Sequence, residues 1–146
     1  MITDRIVFTR PDGGVSVFCP SGDITIEEAM TRSEIVPADS TGARITTTDA
    51  LPQDRVFRNA WDDSNPEDYI GLDLVKAKEI AHTMRRADRD AKMIPLDKEE
   101  AFLSTTTARK SEITTEKQTI LDDNATLQTA IDASADETAL RLSIVG

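Results

Sequence analysis

The spacing of apolar residues changes near residue 70, and this change most constrains the fold. Before it, short runs of β-branched and aromatic residues alternate with turn-forming Pro and Gly, which is typical of strands. After it, apolar residues recur every three or four positions, which is typical of helices. We therefore predict an α+β protein: a small β-rich domain over residues 1–70, ending in a Trp-containing connector, and a helical region over residues 71–146.

The β-rich part opens with a predicted hairpin. Residues 5–10 and 15–19 are the two strand-like runs, and Pro-Asp-Gly-Gly at 11–14 joins them with residues suited to a tight turn. Thr25 and Glu28 match a helix capping box, which predicts a short helix over residues 26–33.

Two shorter runs in the same region, residues 35–36 and 44–47, are predicted as further strands.

The helical region is predicted to contain two long helices that meet near Pro95, as a hairpin or as a kinked rod. Asp73 is the expected N-cap of the first helix, and Pro95 is expected to stop or kink it. An apolar stripe runs along this helix: Ala77, Ile80, Ala81, Met84, Ala87, Ala91 and Ile94. Its opposite face is expected to carry the basic residues Lys78, Arg85, Arg86, Arg89 and Lys92. The second helix covers residues 96–133.

At the C-terminus, Leu140, Leu142 and Ile144 alternate strictly, which predicts a closing strand or a peptide that adds to a sheet edge.

The second helix carries two seven-residue rows. Ile113, Ile120 and Leu127 occupy one heptad position, and a second row consists of Leu96, Leu103, Lys110, Lys117, Asn124 and Ile131. Rows at the a and d positions of a heptad are typical of helices that pack between chains. We therefore predict a homo-oligomer that associates through Ile113, Ile120, Leu127 and Ile131.

Charge and aromatic content limit the function classes. The net charge of −10 disfavours nucleic-acid binding and docking on anionic lipid, and no apolar run is long enough for a membrane span. The basic stretch 74–94 lies between acidic regions and favours an acidic protein partner or pairing with the chain's own carboxylates. Only six aromatic residues are present (one Trp, one Tyr, four Phe), which predicts a thin core.

No residue pattern indicates catalysis, a cofactor or a metal, so we expect a protein that is not an enzyme. His82 is the only histidine and lies among cations, where a surface or boundary position is expected. Cys19 is the only cysteine and is expected to be a small buried apolar residue. The acidic stretch 62–68 lacks the ligand spacing of an EF-hand and is expected to be a solvated loop rather than a calcium site.

Residues 57–61, Phe-Arg-Asn-Ala-Trp, are the strongest candidate interaction segment. Trp and Arg often anchor protein interfaces, so Phe57, Arg58 and Trp61 are predicted docking residues. The alternative is structural: Phe57 and Trp61 lie four residues apart and could attach the β part to the helices.

Two stretches resemble a family of small proteins from tailed bacteriophages and prophages. They are LPQDRVFRNAW at 51–61 and LDLVKAKEI at 72–80, followed by Arg85, Arg86 and Arg89. The segment RPDGGVSV at 10–17 is also similar to the opening hairpin of that family. The resemblance covers residues 5–95, and beyond Pro95 the chain keeps only Leu96 and Asp97 of the family pattern.

The family is found among late structural genes. The resemblance therefore implies a non-enzymatic virion component, in the tail, tail-fibre or neck machinery, whose partners are other phage structural proteins. The alternative is a tail or fibre assembly chaperone that is absent from the mature particle.

Overall fold

The computed structural model describes residues 3–64 and 69–145 and confirms an α+β protein. The chain divides into two compact units, Met1–Ala77 and Lys78–Gly146, called here the sheet unit and the helical unit. The strands are β1 (Asp4–Thr9), β2 (Val15–Phe18), β3 (Thr41–Thr47), β4 (Trp61–Asp62) and β5 (Gly71–Leu72). The helices are α1 (Ile26–Thr31), α2 (Leu74–Ala101), α3 (Thr107–Ala133) and α4 (Glu137–Val145), with single 3₁₀ turns at Thr48–Ala50 and Arg58–Ala60.

The predicted hairpin is confirmed. β1 and β2 pair antiparallel in a register that places Ile6 opposite Phe18, and β3 pairs antiparallel on the other side of β1. In the turn, Gly13 adopts a positive φ of 82°, which a residue without a Cβ tolerates. The Asp12 carboxylate accepts a hydrogen bond of 2.8 Å from the Gly14 amide. This bond holds the pKa of Asp12 below its usual value.

Both faces of the central strand β1 are covered. Successive strand residues point to opposite faces, so Val7 packs in one cluster, with Val15, Trp61 and Ile70. Ile6 and Phe8 pack in the other, with Ala29 of α1. The core of the sheet unit is thus two apolar layers that enclose one short sheet.

The capping prediction for α1 is confirmed, because Thr25 Oγ1 accepts a hydrogen bond of 3.1 Å from the Glu28 amide. The strand predicted at 35–36 is wrong. The amides of Ile35 and Val36 donate to the Arg32 carbonyl at 3.0 and 2.8 Å, which closes a turn behind the helix. The strand predicted at 44–47 is confirmed as the last part of β3.

α2 continues through Pro95 to Ala101, so the predicted junction near Pro95 is wrong. Proline removes one backbone donor, and the helix tolerates that loss here. The turn lies instead at residues 102–106, where threonine hydroxyls satisfy free backbone groups. Thr105 donates to the Glu99 carbonyl at 2.6 Å, and Thr106 caps α3 by accepting from the Arg109 amide at 3.1 Å.

Within the helical unit, α2 and α3 form an antiparallel hairpin. Glu99 near the end of α2 binds Arg109 near the start of α3, and His82 contacts Asp132 at the other end of α3. Of the two predicted arrangements, the structure has the hairpin.

The predicted C-terminal strand is wrong, because this segment is helix α4. The Asp136 carboxylate accepts a hydrogen bond of 2.8 Å from the Ala139 amide, which starts the helix. Leu140 is buried and Ile144 is half-buried, four residues apart on one helix face, whereas Leu142 is exposed. The alternation is also compatible with a helix that buries every fourth residue. Across residues 3–64 and 69–145, no helix has the length and apolar character needed to cross a membrane.

Candidate functional site

Of the three predicted docking residues, Phe57 and Trp61 lie in the core of the sheet unit and Arg58 does not. Phe57 is wholly buried, and Trp61 is 5% exposed against Val7 and Val15. Arg58 is exposed, with its Cζ atom 5.9 Å from the centroid of the Trp61 ring. In the folded chain, Arg58 is therefore the member of this trio that offers surface to a partner.

The same segment positions the start of α2. β4 pairs with β5 through Trp61 and Leu72, and the Asp73 amide donates to the Ala60 carbonyl at 2.8 Å. Asp73 then caps α2 as expected, since its carboxylate accepts from the Lys76 amide at 3.2 Å. These contacts place Trp61 beside β5, the strand that precedes α2, and the attachment of the sheet to the helices by Phe57 and Trp61 stays a prediction.

The acidic stretch predicted as a solvated loop is described only as far as Ser64, and its residues 65–68 lie outside the described residues. Asp63 contradicts the expectation, because its side chain is 4% exposed and pairs with Arg44. Within the described ranges, Asp63 Oδ1 and Trp61 Nε1 are enclosed without a hydrogen-bond partner. No group of three or more potential metal-ligating side chains converges among the described residues.

Cys19 is exposed, so its predicted burial is wrong. β2 ends at Phe18, and the ladder of the hairpin ends with it. The side chain of Cys19 therefore lies beyond the covered part of the sheet.

The structure divides the four predicted self-association residues into two classes. Ile113 and Ile131 are wholly buried inside the folded chain. Ile120 and Leu127 are half-buried and line a groove of about 680 Å³ between α2, α3 and α4. Self-association stays a prediction. Of the four residues, Ile120 and Leu127 are the two with surface that a second chain could contact.

Polar members of the second heptad row bind α2 of the same chain. Lys117 bridges Asp97, at 2.7 Å, and Glu100, and these hydrogen bonds raise the pKa of Lys117. Asn124 accepts a hydrogen bond of 2.7 Å from Arg85 Nη1. Lys117 and Asn124 therefore face the other helix of their own hairpin, whereas Leu96 lies on α2 itself and Leu103 is exposed in the turn.

Arg85 is the residue that sequence reasoning misplaced. It was expected on the exposed basic face of α2, yet it is 7% exposed and follows the buried Ala81 by four positions. Met84 and Ile94 of the predicted apolar stripe are instead 44% and 50% exposed. The spacing of four from Ala81 was visible in the sequence, but an arginine on that row gave no apolar signal.

Uncharged partners hold the Arg85 guanidinium. Besides Asn124, its Nε donates to His82 Nδ1 at 3.4 Å. An accepting Nδ1 assigns the imidazole proton to Nε2, which lies 2.8 Å from Asp132 Oδ1 and donates to it. Lys78 Nζ also reaches Asp132, donating to its backbone carbonyl at 2.8 Å. Arg85 forms no ion pair within the described parts of the chain.

A cluster of carboxylates around Arg109 stabilises the closed end of the hairpin. Arg109 binds Glu99 through Nε and Nη2, at 2.6 and 2.9 Å. Its Nη1 contacts Glu112 at 3.2 Å and Glu116 at 2.6 Å. The hydrogen bond to Arg109 holds the pKa of Glu99 below its usual value.

Comparison of the chain with protein-family models, with curated proteins and with solved structures gives no match. A function is therefore proposed from the sequence motifs and from the surface that the helical unit exposes.

Proposed function

We propose that this chain is a non-enzymatic structural component of a tailed-phage virion, in the tail, tail-fibre or neck machinery. It acts there by docking to other virion proteins. The phage context comes from the motif at residues 51–61 and the helix start at 72–80, which resemble a family of phage late-gene proteins. The docking role has a separate support in the helical unit.

The observation that carries the docking role is the amount of apolar side chain exposed by the helical unit. Its large, fully buried apolar residues are Ile113, Ile131 and Leu140. Its exposed large apolar residues outnumber them: Met84, Ile94, Phe102, Leu103, Leu121, Leu142 and Val145. A partner that covered these side chains would gain free energy, because the burial of apolar surface is favourable.

The described charges of the hairpin support a structural role. Arg109 of α3 binds Glu99 of α2 as well as Glu116 of its own helix. Lys117 of α3 binds Asp97 of α2. Both residues therefore link α2 to α3. These ion pairs satisfy charges within the hairpin, and the exposed apolar side chains take no part in them.

The test is quantitative mass spectrometry of purified particles from the phage or prophage that encodes this chain. We expect the chain at a fixed ratio to the portal or tail proteins. Absence from particles, combined with abundance in induced cells, would contradict the proposal and indicate an assembly chaperone.

A variant sharpens this test. Phe102 and Leu103 are 63% and 103% exposed at the turn of the hairpin. Replacing both with serine should leave the circular dichroism spectrum unchanged and lower incorporation into particles. Ser104→Ala, at an exposed polar position of the same turn, is the matched control and should incorporate normally.

A further inference from the structure

The groove of the helical unit has a mixed lining of apolar, polar and charged side chains, one of which is a buried cation. Met84, Ile120, Leu127 and Ile144 contribute apolar surface, and Arg85 lies in the same wall. Arg85 is 7% exposed, and its two hydrogen bonds from Nε and Nη1 go to uncharged acceptors. A buried cation without a counter-ion is costly, so this wall is complementary to an anion.

Two carboxylates, Asp88 and Asp123, line the groove, and neither pairs with Arg85. Asp88 binds Lys92 at 2.8 Å, and Asp90 binds Arg89 at 2.7 Å. Asp123 lies close enough to Lys92 to contribute to the raised pKa of that lysine. No described carboxylate pairs with Arg85.

The donors of Arg85 that remain are accessible from the groove. Neither hydrogen of Nη2 has an acceptor in the described structure, and Nη2 is not among the enclosed, unpartnered atoms. A carboxylate that entered the groove could accept from Nη2 and from the second hydrogen of Nη1. Arginine and carboxylate pair well in this two-point geometry.

We propose that the groove binds a short amphipathic helix of a partner protein, which places one carboxylate against Arg85 between its aliphatic side chains. On α2 the lining runs from Ala81 to Lys92, which is roughly 16 Å at 1.5 Å per residue, or about three helical turns. A groove of this length, with apolar side chains from three helices in its lining, fits the helix-in-groove mode of recognition.

The charge of the whole chain restricts the partner helix further. A net charge of −10 repels an acidic protein at a distance, whereas Arg85 attracts a carboxylate at contact. The matching helix therefore carries a single acidic residue within its apolar face and lysines on its outer face. This inference rests on the proposed function in that the occupant is another protein.

The experiment uses the full-length chain and two synthetic 15-residue helical peptides as probes. Both have leucines at spacings of three and four and lysine or alanine elsewhere, and they differ only in a central Glu or Gln. We expect the Glu peptide to bind roughly tenfold tighter than the Gln peptide. The methyl NMR signals of Ile120, Leu127 and Ile144 should shift in the complex.

Variants of the chain assign that preference to Arg85. R85Q should abolish the difference between the two peptides, whereas R86Q should preserve it, since the neighbouring Arg86 is exposed and does not line the groove. I120D should weaken both peptides. Circular dichroism identifies any variant that does not fold; in that case R85K, which keeps the charge but loses the two-point geometry, should give a reduced preference.

Three results would overturn the inference. The first is equal affinity of the Glu and Gln peptides. The second is displacement of the Glu peptide by octanoate at equal concentration, which would indicate a site for small amphiphilic acids. The third is a homo-oligomer that I120D dissociates, which would mean that a second copy of the chain fills the groove.

Particle composition separates this inference from the proposed function. If the chain is present in particles at a fixed ratio but the peptides are not discriminated, only the groove inference fails. If the chain is absent from particles but Arg85 discriminates the peptides, only the virion role fails.

Discussion

The sheet unit and the helical unit are stabilised by different kinds of contact. In the sheet unit, β1 has apolar clusters on both faces, one around Trp61 and one around Ala29. In the helical unit, hydrogen bonds between side chains connect α2 and α3, as in the Arg109–Glu99 and Arg85–Asn124 pairs. The sheet unit is thus stabilised by burial, whereas the helical unit combines the burial of Ile113 and Ile131 with hydrogen bonds and ion pairs between its helices.

This difference predicts how each unit responds to its surroundings. The burial of apolar side chains depends little on pH or salt. Exposed ion pairs weaken when salt is added and when a low pH protonates their carboxylates. The helical unit also keeps Leu142 and Val145 at 70% and 82% exposure, so a bound partner would add the apolar burial that it lacks. We therefore expect the sheet unit to be stable alone and the helical unit to gain stability on docking.

The largest effect is expected from Trp61→Ala in the sheet unit. The substitution leaves a cavity beside Val7 and Val15 and should lower the free energy of unfolding by about 3–5 kcal/mol. Hydrogen exchange of the β1 amides measures this loss. Val56→Ala, at a 45% exposed position nearby, is the control and should have little effect. Slow exchange retained in Trp61→Ala would show that Trp61 is not the centre of this core.

The next largest effect is expected from Ile131→Ala in the helical unit. Ile131 is wholly buried, and its truncation should cost about 2–4 kcal/mol. Far-ultraviolet circular dichroism should show a loss of helix. Fluorescence of Trp61, the only tryptophan, reports on the sheet unit and should stay unchanged. A coupled change in both signals would contradict the division of stability between the units.

Thr25→Ala should have a moderate effect confined to α1. It removes the side-chain acceptor for the Glu28 amide and should cost about 1 kcal/mol. Urea denaturation measures the change, with Ser33→Ala as an exposed control just beyond the helix. Equal stabilities of the two variants would mean that packing on the sheet, rather than the cap, sets the start of α1.

The smallest effect is expected from the charge cluster at the closed end of the hairpin. Arg109 lowers the pKa of Glu99 in the folded chain, so the resulting stability is complete above about pH 4.5 and is lost as the pH falls below that value. Glu99→Gln should remove this contribution and its pH dependence. Glu79→Gln, at an exposed position of α2, should change neither.

High salt provides an independent check on the same cluster. It should weaken the helical unit of the natural chain more than that of Glu99→Gln, because ions screen the Arg109–Glu99 pair. Thermal unfolding followed by circular dichroism at low and high salt measures this difference. Equal salt dependence of the two chains would show that the pair adds no stability.

Local chemistry made part of the fold predictable. The turn at 11–14, the Thr25 cap and the Asp73 cap each depend on residues close together in sequence, and each is confirmed. The ends of the helices were harder to predict. α2 continues through Pro95 because the loss of one backbone hydrogen bond costs less than the other hydrogen bonds of the helix contribute. It ends just before the turn in which Thr105 and Thr106 bind free backbone groups.

The candidate site was predicted only in part. Ile120 and Leu127 were identified by their heptad spacing, and both line the groove. Arg85 was missed because its burial depends on Asn124, which lies 39 positions further along the chain. No periodicity in the local sequence reports a contact of that separation.

The sequence by itself determined the α+β class, the hairpin and the helix caps, since these follow from the conformational preferences of neighbouring residues. Only the tertiary structure decided that Phe57 and Trp61 lie in the core, that the C-terminal segment is a helix, and that Arg85 is buried. The reason is physical: burial is set by which surfaces meet in space, and a residue's own neighbours in sequence do not specify that meeting.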